Sequence, residues 1–261
     1  MLALKSNRWR DLEGCFGSGE VIPDLLRRLD KKYSKQNRLK LWDHLFHQYS
    51  VYTAAFAAVP HLVRMLPNVD ERANVDLLID IGSIATFANE RELKSVEADI
   101  RDGYQASLIE ARGVAVNLFG MVPLSEDELV YLLMGIPGLS GYNSLGIVLE
   151  SLSDKEFSCS CPDCSKRVFV SEKENALFSA VEEPYLNPDV EMLPVRPYEG
   201  EEAQWNGRFA RENAVQWLSH LAQKAGEHEL AKLLLNLFGV AACPHCGFEF
   251  CLVDRLEQEV G

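Results

Sequence analysis

No stretch of the chain approaches the roughly 18–20 consecutive apolar residues that a bilayer-spanning helix needs. The opening residues, MLALKSNRWRDLEG, reach Lys5 and Arg8 before an apolar core of signal-peptide length can form. These two absences predict a cytoplasmic protein without a membrane anchor. Three catalytic signatures are also missing: a phosphate-cradling glycine loop, a Gly-x-Ser-x-Gly elbow and a His-Glu-x-x-His pair. Basic charge is scarce, with 26 Lys and Arg against 39 Asp and Glu, a formal net charge of -13. That balance repels a phosphate backbone and disfavours a nucleic-acid partner. Arg27-Arg28 and Lys31-Lys32 read as the solvated end of a helix, and the acidic remainder suits solubility or a basic protein partner.

What is present is helical rhythm. The 261 residues are 47% apolar, enough for a substantial core. Leu41–Leu66, LWDHLFHQYSVYTAAFAAVPHLVRML, reads as two apolar helices joined by a polar corner, the second carrying Pro60 and closely packing alanines. Pro60 is expected to kink that helix. Its end, from Val59 to Leu66, echoes the segment from Ile22 to Leu29 in the pattern aliphatic-Pro-x-Leu-aliphatic-Arg-x-Leu. An interval of 37 residues between Pro23 and Pro60 fits a stacked helical repeat. Further helices are expected over 71–88 and 93–119, then from a Ser125-Glu128 capping box to a stop at Gly135 and Pro137, then over 145–152.

The pattern changes at Asp154. Residues 154–170 and 240–254 each alternate like two short strands around a tight turn. Between them lie an expected acidic, exposed loop (171–203), with nine acids against two bases, and two helices (204–238). Domain boundaries are therefore placed at 1–153 for the helical repeats and 154–261 for the remainder.

Each strand-turn-strand segment holds a Cys-Pro-x-Cys knuckle: Cys161-Pro-Asp-Cys164 and Cys243-Pro-His-Cys246. Two residues between the thiols let both sulfurs point inward, and two knuckles supply the four thiolates of a closed tetrahedral zinc site. Such a site is structural, because no coordination position remains for water or substrate. A thiol–disulfide redox pair is the competing reading. Cys159 and Cys251 are alternative ligands or buried thiols, and Cys15 reads as a core residue. His44 and His47, three apart with Tyr52 nearby, are the one place where a helical groove could carry chemistry.

The stretch from Gln48 to Leu62, with its Val-Tyr, small residues and Val-Pro-x-Leu, resembles a recurring unit of bacterial HEAT-repeat proteins. The resemblance implies an α-α superhelix with a concave surface for a protein partner, and it brings no catalytic residues. Some bacterial proteins of this look are immunity factors beside toxins. The fold expected is thus mostly α, a HEAT/ARM-like superhelix with a small zinc-ribbon-like hairpin module near the C-terminus. The function expected is a non-enzymatic scaffold that covers a basic partner, such as a toxin, through its concave face with His44, His47 and Tyr52, and through Glu199, Glu201 and Glu202. An enzyme built around His44 and His47, and a zinc-thiolate redox sensor, are the alternatives.

Overall fold

Ile22, Leu26 and Leu29 fall on one side of a helix, and in the computed structural model, which describes residues 1–200 and 209–261, all three are buried. A hairpin of β1 (Glu13–Gly14) and β2 (Gly17–Ser18) precedes their helix, α1 (Ile22–Lys31). Pro23 occupies its first turn, where a missing N–H costs no intrahelical bond. The next helix, α2 (Lys35–Leu45), starts where the Ser34 hydroxyl accepts the Asn37 N–H at 3.2 Å.

The expected polar corner after α2 is a hairpin. Strands β3 (Phe46–His47) and β4 (Ser50–Val51) pair across Gln48 and Tyr49, whose φ angles are +47° and +62°. Two consecutive left-handed residues define the tight turn that matches strand twist. His47 therefore stands on a strand, not one turn along a helix from His44.

Helix α3 (Thr53–Met65) is buried at every position except Arg64. It continues past Pro60, because packing on all sides outweighs the roughly 3 kcal/mol that an interior proline costs. The 37-residue echo matches in burial at five of its eight positions but differs at Asp24/His61, Leu25/Leu62 and Arg28/Met65, and it does not keep helical position. Ile22, Leu26 and Leu29 are buried like Val59, Val63 and Leu66, and Arg27 is exposed like Arg64. Pro23, however, opens α1, whereas Pro60 lies inside α3.

Helix α4 (Glu71–Phe87) is capped by Asp70, which accepts the Ala73 N–H at 2.8 Å. The single helix expected over 93–119 is two, α5 (Glu90–Ser95) and α6 (Ala98–Leu118), because Val96 takes an extended conformation and buries its side chain. Gly103 and Gly113 do not interrupt α6. The Ser125–Glu128 capping box forms in both directions, at 2.9 and 3.3 Å, and opens α7 (Glu126–Gly138). That helix runs through Gly135 and Pro137 rather than stopping there. Gly135 instead permits a close crossing: a Cβ on Gly82 of α4 would lie 2.9 Å from the Gly135 Cα. Then comes α8 (Asn143–Glu150).

Contacts divide the chain into two units, Met1–Leu118 with Gly135–Asn143, and Phe119–Met134 with Ser144–Gly261. The first unit is helical and holds a buried ionic cluster. Arg38 grips Asp80 through two nitrogens at 2.7 and 2.5 Å and reaches Asp76 at 3.4 Å, while Tyr33 donates to Asp76 at 2.6 Å. Burial pushes the Asp80 carboxyl up to about 6, and the Arg38 guanidinium acts in the opposite direction.

The second unit contains an antiparallel sheet in the order β5 (Glu156–Ser160), β6 (Arg167–Lys173), β7 (Ala176–Ala180), β8 (Met192–Pro194). Two of these strands lie in the span expected to be a loop. Leu177, Ser179 and Ala180 are fully buried, and left-handed Glu174 and Asn175 close the tight β6–β7 turn. Helices α9 (Ala214–Lys224) and α10 (His228–Leu237) pack together, followed by the β9 (Val240–Ala242) and β10 (Glu249–Cys251) hairpin. A final helix not foreseen from the sequence, α11 (Leu252–Val260), buries Leu252, Val253 and Leu256. Among the described residues no helix is long and apolar enough to cross a membrane.

Replacing Arg38 with Ala leaves the Asp80 carboxylate buried and unpaired, and urea denaturation should register a loss of about 3–5 kcal/mol. Gly82→Val should cost about 1–3 kcal/mol through overpacking at the α4–α7 crossing. Gly113→Ala, on an exposed face of α6 with open space around it, should instead be neutral or stabilising by about 0.5–1 kcal/mol.

Candidate metal centre

The residues after β5 and after β9 each form a short loop that returns the chain on itself. In the first, the Cys161 N–H donates to the Lys166 carbonyl at 2.8 Å and the Ser165 N–H to the Cys161 carbonyl at 2.9 Å. The second repeats both bonds at equivalent positions: Cys243 N–H to Phe248 carbonyl and Gly247 N–H to Cys243 carbonyl, each 2.8 Å. Ser165 and Gly247, one residue past the second cysteine, are both left-handed, with φ of +59° and +78°. Glycine meets that demand without strain, whereas serine holds it against a steric penalty. The two Cys-Pro-x-Cys sequences are thus one backbone motif used twice.

The knuckles bring their four sulfurs together. All four Sγ atoms lie within 4.8 Å of one another. Cys161 faces Cys246 at 3.7 Å, and Cys164 faces Cys243 at 3.8 Å. This group can hold a metal ion, and it is the single group of three or more His, Cys, Asp or Glu among the described residues with that property. Cys161 and Cys243 are buried, Cys164 is half-buried and Cys246 is exposed.

Electrostatics in the cluster pull in both directions. Burial raises the Cys161 thiol, but the N–H groups of Cys164 and Asp163 more than offset it, and it settles at about 7. At Cys246 the Phe248 N–H favours the thiolate, yet burial and the neighbouring sulfurs push the thiol up to about 12. Four sulfurs at this spacing ionise together only around a positive ion, because a metal ion's own charge dominates the local pKa balance.

Side chains distant in sequence hold the first knuckle in place. The Arg255 Nε of α11 donates to the Ser160 carbonyl at 2.7 Å, and Glu259 accepts the Ser160 N–H at 3.1 Å. Arg255 and Glu259 also pair with each other at 2.6 Å. Their i,i+4 spacing marks them as neighbours on a helix, but nothing in the sequence links them to Ser160. His245, inside the second knuckle, places Nε2 3.1 Å from the Arg167 carbonyl. A carbonyl only accepts, so that nitrogen carries the proton.

The other residues singled out from the sequence do not join this centre. Cys159 is fully buried on β5, where burial pushes its thiol up to about 11, and Cys251 is half-buried at the start of α11. Neither belongs to the four-sulfur group. His44 meets the Phe16 ring edge-on at 5.0 Å, His47 is exposed on β3, and Tyr52 hydrogen-bonds Cys15. Glu199 is exposed, while Glu201 and Glu202 lie outside the described residues.

No protein-family model matches the chain, and neither a curated protein nor a solved structure was found to be similar to it.

The geometry gives a stoichiometry. Elemental analysis of purified protein should find one transition-metal ion per chain. Cys164→Ser and Cys246→Ser should each lose it or weaken it beyond the roughly 10–100-fold that losing an outer-shell partner costs, since each removes a direct ligand. Cys159→Ser should keep it, and metal content equal in all four proteins would refute the four-sulfur site.

Proposed function

We propose that this protein is a non-enzymatic, protein-binding scaffold whose second unit is clamped by structural zinc and presents an acidic surface to a basic partner. The observation that carries the reading is the distribution of charge. The first unit balances sixteen Asp and Glu with sixteen Lys and Arg, so the whole formal charge of -13 resides in the second unit, which also holds the four cysteines. A concentration of one sign of charge speeds the approach of an oppositely charged partner and orients it.

Zinc is supported by size and donor type. Zn–S bonds of about 2.3 Å place the corners of a regular tetrahedron about 3.8 Å apart, and the facing sulfurs lie at 3.7 and 3.8 Å. Thiolates select zinc, copper(I) or iron–sulfur chemistry over magnesium and calcium. With four protein ligands the ion would keep no open position, so its contribution is to hold two hairpins together. The same reading takes the helix pairs of the first unit as HEAT-like repeats, a view supported by the apolar positions Ile22, Leu26 and Leu29 being buried like Val59, Val63 and Leu66. Inhibition of a basic toxin by an immunity or antitoxin protein is the form of scaffold function that the acidity favours.

Two measurements test this reading. Cobalt substitution should give the intense visible bands of a tetrahedral four-thiolate site. A partner recovered from the native host should associate about tenfold more slowly with a Glu183→Lys/Glu191→Lys/Glu199→Lys variant, and its association with the wild type should slow as salt rises. An association rate indifferent to both changes would remove the acidic-surface reading.

A further inference from the structure

The charge of the first unit is not evenly spread. Residues 1–50 carry ten Lys and Arg against six acids, a formal +4, while residues 51–261 carry -17. Much of this positive charge meets in one groove of about 710 Å³ between the N-terminal segment 4–10 and the start of α1, with His44 of α2 on its wall. Lys5, Arg10, Arg27 and Arg28 line it, opposed by Glu20 and Asp24.

The acids are already engaged. Glu20 pairs with Arg10 at 3.4 Å, and Asp24 pairs with Arg27, which also donates to the Leu4 carbonyl at 2.6 Å. Lys5 and Arg28 are exposed and have no ion-pair partner among the described residues. The groove therefore offers two unengaged cations and an excess of two positive charges, in a protein that is otherwise strongly acidic. Next to it, the Phe16 ring is 72% exposed and packs edge-on against the groove-lining His44. An exposed aromatic face beside unengaged cations is the pairing that receives a flat base together with its phosphates.

We propose that this groove binds a small phosphorylated ligand of the nucleoside diphosphate class, with Lys5 and Arg28 contacting the phosphates and Phe16 stacking on the base. The site is independent of the metal centre and of the acidic surface, since all its residues belong to the first unit. From the sequence, Arg27 and Arg28 looked like the solvated end of a helix. Lys5 and Arg10, which complete the groove, lie about twenty residues earlier and form no run with them.

The test is isothermal titration of the full-length protein with ADP and with inorganic pyrophosphate. Both should bind saturably at one site, ADP the more tightly, and both should weaken as salt rises. Lys5→Glu/Arg28→Glu should weaken both by at least about tenfold, the contribution of one charge-assisted hydrogen bond. Phe16→Ala should weaken ADP alone. Lys173→Glu/Lys232→Glu, an equal charge change elsewhere, should leave both unchanged, and thermal melts of the variants verify folding. Absence of saturable binding, or equal losses in the two charge-reversal variants, overturns the site. Pyrophosphate binding as tightly as ADP overturns the role of Phe16.

Discussion

Four sulfur atoms confined to one small volume set the strictest condition on the second unit. Cys164 and Cys243 are 79 residues apart, yet their sulfurs approach to 3.8 Å. Everything between them must return the chain to its starting point. Strands β6, β7 and β8 lead away from the first knuckle, α9 and α10 fill the interval, and β9 delivers the second knuckle. Closing a loop of that length is entropically costly to the unfolded chain, and that cost grows only slowly with length. A centre bridging the two knuckles therefore acts as a cross-link, in the same sense as a disulfide over a long loop. Arg255 and Glu259 add a second attachment, fastening α11 to Ser160 beside Cys161.

The parts of this architecture that are local in sequence were readable from it. The two Cys-Pro-x-Cys knuckles, the strands flanking them and the Ser125–Glu128 capping box are each fixed by a few neighbouring residues. The parts that failed share a cause. Nine acids between 171 and 203 masked the alternation at Leu177 and Ser179, so β7 and β8 read as loop. The Gln48-Tyr49 turn lacks the Asn or Gly that normally announces two left-handed residues, so the local pattern hides β3 and β4 and places His47 on a helix. Gly135 and Pro137 looked like a helix stop, but the close approach of Gly82 gives that glycine a packing purpose and α7 continues. The Arg38–Asp80 pair spans 42 residues, and no local pattern could have joined its members.

Charge and structure separate along the same lines. The first unit is electrically balanced as a whole but polarised within itself, its basic residues gathered near the N-terminus. The second unit carries all the net negative charge, and the stretch that concentrates it is partly folded into strands. Of the nine acids in that stretch only Glu172 lies on a strand, β6; Glu174, Glu182, Glu183, Asp189, Glu191 and Glu199 sit on turns and connections, and Glu201 and Glu202 lie outside the described residues. The excess of positive charge and the excess of negative charge thereby lie on different parts of one chain.

The equivalence of the two knuckles has an electrical consequence. Counted from neutral thiols, four cysteines coordinating one divalent ion would release four protons, so a filled centre would add two negative charges to the formal -13 of the unit. A metal ion bound there would make the unit more acidic as it tied the two knuckles together, and the isoelectric point would then report occupancy.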